Sequence, residues 1–310
     1  MRPRTPITGL LLTLALATLG LDTPTPALGP ALGPAHGTVH GPAHGPAHGP
    51  AHGSDRPPGA SFGPDAAATP SEAAYFRGKA FDTCWAPPLD TMRRWRASPY
   101  GAVGVYYGGR GRACRDQPHL SRAWLRAVDA LGWRVLPVYV GSQSPCVVAD
   151  RKRHVRIGGR PWRQGTREGH DAVRRAEAHG IRPGSPLYLD MEAYTYRKQK
   201  CARATLSFVR AWNREVRSHD YVPGFYSSAE SGVRHMAAAR RAGAADLPSV
   251  LWFARWRTRP DLYAEPALPW AGWPEGGRIH QYAGDVRERH GGRTLVIDRD
   301  LVDAPVAHVG

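Results

Sequence analysis

The sequence predicts an α/β fold, a single (β/α)8 barrel with degenerate C-terminal helices, and three observations point there. Short apolar runs rich in β-branched and aromatic residues alternate with helix-patterned segments, an order that builds βαβ units and a parallel sheet. Eight such runs fall within about 240 residues, an ordinary length for this barrel. Three of the runs end on carboxylates, and the C-terminal strand ends are where such barrels carry their chemistry. A doubly wound open sheet is the alternative assembly of the same units.

The runs follow in order. Residues 78–82 (GKAFD) read as the first strand and 88–97 as a helix. Residues 102–107 (AVGVYY) form a strand stopped by Gly108-Gly109. In 121–131, Ser121 is the candidate N-cap, Trp124, Leu125 and Val128 mark one face, and Gly132 closes the helix. Residues 133–140 are the third strand, followed by a long loop with Cys146 and a basic cluster, then a helix over 170–179. Residues 186–190 (PLYLD), 222–226, 250–254, 278–282 and 294–298 complete the strands, with helices over 201–217 and 228–239. The last connections are poor in helix signal, hence the degenerate helices.

The 310 residues are not uniform. Residues 1–28 read as a signal peptide: Arg2 and Arg4 precede an apolar run of about 15 residues, too short to span a bilayer comfortably. An uncleaved anchor is the alternative. Residues 29–72 read as a disordered Gly/Pro/Ala/His-rich linker, carrying His36, His40, His44, His48 and His52 among the 14 histidines. The barrel occupies 73–310, and the chain is expected to be secreted and a monomer. Its formal charge of +16 suits anionic surroundings such as wall polymers. No aromatic-interleaved motif accompanies the charge, so no specific nucleic-acid partner is expected. Four cysteines, Cys84, Cys114, Cys146 and Cys201, behind an export signal suggest two disulfides, with three pairings open. Their spacings match no zinc pattern. The domain histidines are scattered, and a lone His170 or His280 reads as structural. No metal or organic cofactor is expected.

The chemistry is expected at the strand ends. Asp190 and Glu192 stand two apart, so on an extended strand they share a side, with Cα atoms about 6.5–7 Å apart. Tyr188 lies deeper on that side, while Leu187, Leu189 and Met191 face the helices. Proximity and partial burial raise the pKa of one of a pair of clustered carboxylates, which lets one acid stay protonated near neutral pH while another supplies an anion. Glycosidic cleavage needs that combination. Asp82 and Asp298 end two further strands. Aromatics near the same ends, Tyr106, Tyr226, Trp252 and Trp256 among them, suit a groove in which sugar C–H faces stack. There is no G-x-S-x-G elbow, no H-E-x-x-H and no Gly-rich phosphate loop.

FDTCWAP (81–87), VYYGG (105–109), PVYVG (137–141), LYLDMEAY (187–194) and GFYSS (224–228) together resemble the glycoside-hydrolase-like domain of secreted actinobacterial proteins (domain of unknown function 1906). The likeness covers nearly all of 73–306, and that domain is distantly similar to the family 25 glycoside hydrolases, the lysozyme-type muramidases. The resemblance implies Glu192 as general acid and Asp190 as the carboxylate that orients a substrate N-acetyl group, with retention of configuration. Asp82, Asp298 and Gln281 match other site positions. Two positions depart: His280 stands where Trp is expected, and Asp300 where Asn is usual. The resemblance also implies disulfides Cys84–Cys114 and Cys146–Cys201. The function it implies is action on N-acetylated cell-wall glycan, peptidoglycan foremost, with a non-catalytic glycan-binding module on the same fold as the alternative.

Overall fold

The structure is a computed structural model and describes residues 74–269 and 272–310. The expected signal peptide (1–28) and linker (29–72) lie outside the described residues.

Eight strands close into one barrel in the order β1 to β8. They are β1 (Tyr75–Asp82), β2 (Ala102–Gly108), β3 (Arg134–Tyr139), β4 (Pro186–Asp190), β5 (Val222–Ser228), β6 (Val250–Ala254), β7 (Arg278–His290) and β8 (Arg293–Pro305). Five α-helices pack outside: α1 (Leu89–Trp95), α2 (Arg122–Ala130), α3 (Pro161–Ala178), α4 (Gln199–Ser218) and α5 (Arg234–Arg241). No α-helix follows β6 or β7 among the described residues. No helix among the described residues is long and apolar enough to cross a membrane.

The caps and breaks have local causes. Ser121 Oγ accepts from Trp124 N at 3.1 Å and starts α2. Pro161 at the first turn starts α3 nine residues earlier than the apolar pattern alone suggests, because its missing N–H costs nothing there. Ser228 belongs to the end of β5 and makes no capping bond; a π-helical turn (Ala229–Val233) precedes α5.

One expectation is corrected. The first seven strands are parallel, but β8 runs antiparallel to both β7 and β1. The reason is Gly291-Gly292: both have positive φ (52° and 81°), and only these two residues join β7 to β8. A two-residue turn of that kind makes a hairpin, whereas a parallel crossover needs a dozen residues or more. Asp298 is therefore not the C-terminal end of its strand. It lies partway along β8, and the register pairs it with Asp82 at the mouth.

The core has two layers. On β4 the alternation sends Leu187, Leu189 and Met191 outward to the helices with Phe81, Trp95, Trp133, Phe208 and Trp212. Tyr188 points into the barrel with Leu136, Val138, Trp252, Ile279 and Val302. Large rings in so narrow an interior need glycine opposite. A Cβ on Gly224 would stand 2.3 Å from the Tyr188 ring, and one on Gly104 would stand 2.6 Å from Asp82 Cβ and 3.2 Å from the Trp252 ring. Truncating a buried leucine such as Leu189 to alanine removes packing worth about 2–5 kcal/mol.

Disulfides join Cys84 to Cys114 and Cys146 to Cys201, with Cα atoms 5.7 and 5.8 Å apart. The first ties the loop after β1 to the loop after β2. The second ties the loop after β3 to the start of α4.

Candidate active site

A cavity of about 780 Å3 opens at the mouth, and Asp82, Tyr106, Asp190, Glu192, Tyr226, Trp256 and Asp298 line it. The parallel strands β1, β2, β4 and β5 all end there, which is why residues far apart in sequence meet.

Gln281 on β7 is the hub. Its amide Nε2 donates to Asp82 Oδ2 at 2.8 Å and to Asp298 Oδ2 at 3.4 Å. Its Oε1 accepts from the Tyr226 hydroxyl at 2.9 Å and from the Trp256 indole N–H at 3.0 Å. One buried amide thus fixes two carboxylates and two rings. Tyr106 donates its hydroxyl to Asp82 Oδ1 at 2.5 Å. Trp256 is half exposed, and its indole lies over Gly284, where a Cβ would stand 2.2 Å from the ring.

The carboxylates differ in environment. Burial raises Asp190 to about 7, with the charge of Lys152 pulling the other way and those of Glu192 and Asp82 adding to the rise. Its Oδ1 is buried with no hydrogen-bond partner among the described residues. Asp298 also rises to about 7, first through burial and then through the charge of Asp82. Asp82 is raised by burial, against the hydrogen bonds it accepts from Tyr106 and Gln281. Asp300, fully buried beside Asp82, accepts from the Trp252 indole at 2.9 Å and is raised far above the ordinary range by burial and by the charge of Asp82. The site therefore holds protonated carboxyls near neutral pH.

Glu192 is more open and faces two cations. Arg151 Nη2 lies 3.4 Å and Lys152 Nζ 3.5 Å from its Oε1. The arginine is at the exposed rim, while the lysine is buried and donates to Gly111 O at 2.9 Å.

Two of the expected sugar-contacting residues stand elsewhere. Tyr188 is fully buried and donates its hydroxyl to Pro305 O at 2.8 Å, below the cavity. Trp252 is buried too, between Tyr188 and Tyr226, with ring centroids 5.4 and 5.7 Å away. Alternation places both inside the barrel, but their size carries them under the carboxylates as floor.

Sequence reasoning missed Gln143. Backbone pairing between β3 and β4 stops at Tyr139 and Leu189. Beyond it the buried Gln143 side chain takes over: Nε2 donates to Asp190 O at 2.9 Å, and Oε1 accepts from Glu192 N at 2.8 Å. A side-chain amide thereby continues the ladder and holds the D-x-E segment extended. Its own backbone is pinned to Val155 and Ile157. Nothing in the string SQS marks the role, because it depends on where a long loop folds back. Trp85, 58% exposed on the cavity wall next to Cys84, was also missed.

Comparison with known proteins bears on this geometry. An uncharacterized protein of B. stearothermophilus superposes with a TM-score of 0.50 at 19% identity, over 73% of this chain and 95% of that one. The Tat-secreted protein Rv2525c of Mycobacterium tuberculosis, solved in complex with L-tartrate, gives a TM-score of 0.50 at 16% identity, over 73% of this chain and 96% of that one. A muramidase from Acremonium alcalophilum gives a TM-score of 0.43 at 16% identity, over 72% and 92%. At such identities the first two likenesses establish a shared fold. A search of curated proteins returned no match. The sequence profile of one domain family spans residues 93–302, from α1 to β8. With the barrel and its carboxylate mouth, that match decides the matter: the chain belongs to the Rv2525c-like, glycoside hydrolase-like domain family.

Proposed function

We propose that the protein is an exported glycoside hydrolase that cleaves N-acetylated cell-wall glycan, peptidoglycan first, by carboxylate acid catalysis. The observation that carries this reading is Asp190: a buried carboxyl raised to about 7, with an unpartnered oxygen, two residues from Glu192 in a cavity of glycan size. Glycosidic cleavage needs a proton for the leaving oxygen and negative charge for the oxocarbenium-like transition state, and this cavity offers both. Trp256 and Trp85 offer exposed faces for sugar rings. The basic rim at Arg151 and the charge of +16 favour anionic wall polymers. Two disulfides suit an oxidising compartment outside the cytosol. The protein acts as a monomer in this reading.

In the first assignment Glu192, at the open side, protonates the leaving oxygen. Asp190, below it, holds the acetamido group: protonated, it donates to the carbonyl; ionised, it accepts from the N–H. Asp82 and Asp298 supply field and bind hydroxyls. A second assignment exchanges the roles of Asp190 and Glu192, and the raised Asp190 favours it. An N-acetylated aryl glycoside whose leaving group needs no proton separates the two, because a variant lacking only the general acid keeps its bond cleavage on that substrate. Activity kept by Glu192→Gln and lost by Asp190→Asn supports the first, and the reverse pattern supports the second. No cleavage of walls or aryl glycosides by folded, oxidised protein refutes catalysis and leaves a glycan-binding module.

A further inference from the structure

Far from the mouth, three residues scattered in sequence meet on the outer helices. We propose that His170, Glu215 and His219 form a divalent metal site of the zinc type that staples α3 to α4.

Glu215 and His219 are four apart across the end of α4 and so lie on one face. Their third partner reaches them because α3 and α4 pack unusually close. A Cβ on Gly165 would stand 2.3 Å from Phe208 O, and one on Gly169 would stand 2.8 Å from Glu215 Cβ and 3.0 Å from Trp212 O. Glycines four residues apart on α3 thus let its backbone touch α4, and His170 follows the second of them directly.

The resulting geometry is that of a ligand set. His170 Nδ1 is 3.5 Å and His219 Nε2 3.3 Å from Glu215 Oε1, and one ligand atom from each residue lies within 4.8 Å of the others. Zinc binds imidazole nitrogen and carboxylate oxygen at about 2.0–2.2 Å in a tetrahedron, whose ligand–ligand edges are then about 3.3–3.5 Å. The two distances to Glu215 are already such edges, so closing around an ion asks for little more than a small movement of the two rings toward each other. The His170 side chain is 62% exposed, so an ion enters from solvent and a water completes the fourth position. Two imidazoles with one carboxylate favour zinc over magnesium or calcium, which prefer all-oxygen sets. The competing account is an ordinary ion pair in which Glu215 accepts from protonated imidazoles, and metal binding distinguishes the two.

The test uses the full chain with His36, His40, His44, His48 and His52 replaced by alanine, so that the N-terminal histidines take no metal. Calorimetric titration with Zn2+ at neutral pH is expected to show one ion per chain, with a higher Tm in its presence. His219→Ala and Glu215→Gln are each expected to weaken binding by more than about tenfold, since loss of even an outer partner of a ligand costs that much. Co2+ should give the intense visible bands of a tetrahedral site, absent in both variants. His170→Ala, at the most exposed of the three, serves as the check should another variant fold poorly, and is expected to lose the same signals. Absence of stoichiometric binding, or binding unchanged in these variants, overturns the proposal.

Discussion

Asp190→Asn is expected to make the protein more stable above neutral pH while removing a group the site needs. The native carboxyl sits at about 7 against an ordinary 3.8, because burial disfavours its anion. A raised native value means that this group's contribution to stability is complete below pH 3.8 and is lost as pH climbs through 7. At about 1.36 kcal/mol for each pH unit between the two values, the loss is about 4 kcal/mol once both states are ionised. That is a large share of a usual stability of about 5–15 kcal/mol. Asparagine keeps the shape and carries no charge, so the variant escapes the loss. The value of about 7 already includes the charge of Lys152, which partly offsets that of Asp190, so the expected advantage is about 4 kcal/mol at pH 8 and close to nil at pH 4. Urea unfolding of both oxidised proteins at pH 4, 6 and 8 reads it as a midpoint difference that widens with pH at constant slope. A difference that stays flat with pH would refute the reasoning, since it would mean that Asp190 ionises as easily in the folded protein as in the unfolded chain.

Three further outcomes follow. Gln143→Ala removes both bonds that hold the D-x-E segment, and is expected to cost about 1–3 kcal/mol in urea unfolding and to lower kcat more than it raises KM. Gly104→Ala puts a methyl 2.6 Å from Asp82 Cβ, and is expected to cost about 1–3 kcal/mol and to disturb the Tyr106–Asp82 bond; unchanged stability and activity would show the barrel floor to be looser than described. Replacing Cys146 and Cys201 with serine opens a link spanning 55 residues of sequence, which is expected to cost about 4 kcal/mol by the chain-entropy account, read as a lower Tm.

Much of the architecture was legible because it is written in local pattern. Strand periodicity fixed which faces of β4 look inward and outward, and the cap at Ser121 stands where the residue type puts it. The direction of β8 was misread although its signal, Gly291-Gly292, was present: a hairpin turn outranks the expectation that an eighth strand repeats the other seven. At the mouth, Asp82, Asp190 and Glu192 could be gathered in advance from strand ends, whereas Asp298 reaches the mouth from partway along a strand whose direction was misread. Tyr188 and Trp252 could not be placed by alternation alone, since facing inward means floor as readily as wall, and ring size with the glycine opposite decides which. Gln143, and the meeting of His170 with Glu215 and His219, depend on how a loop and two helices pack, and single-sequence spacing carries no trace of either.

The most direct test of the account is reducing-sugar release from purified peptidoglycan by the oxidised full chain, beside Glu192→Gln and Asp190→Asn. The account predicts release by the native protein, lost by about a hundredfold or more in each variant, as expected when an acid catalyst or a transition-state contact is removed. Absence of release by folded native protein, or release undiminished in both variants, would contradict it.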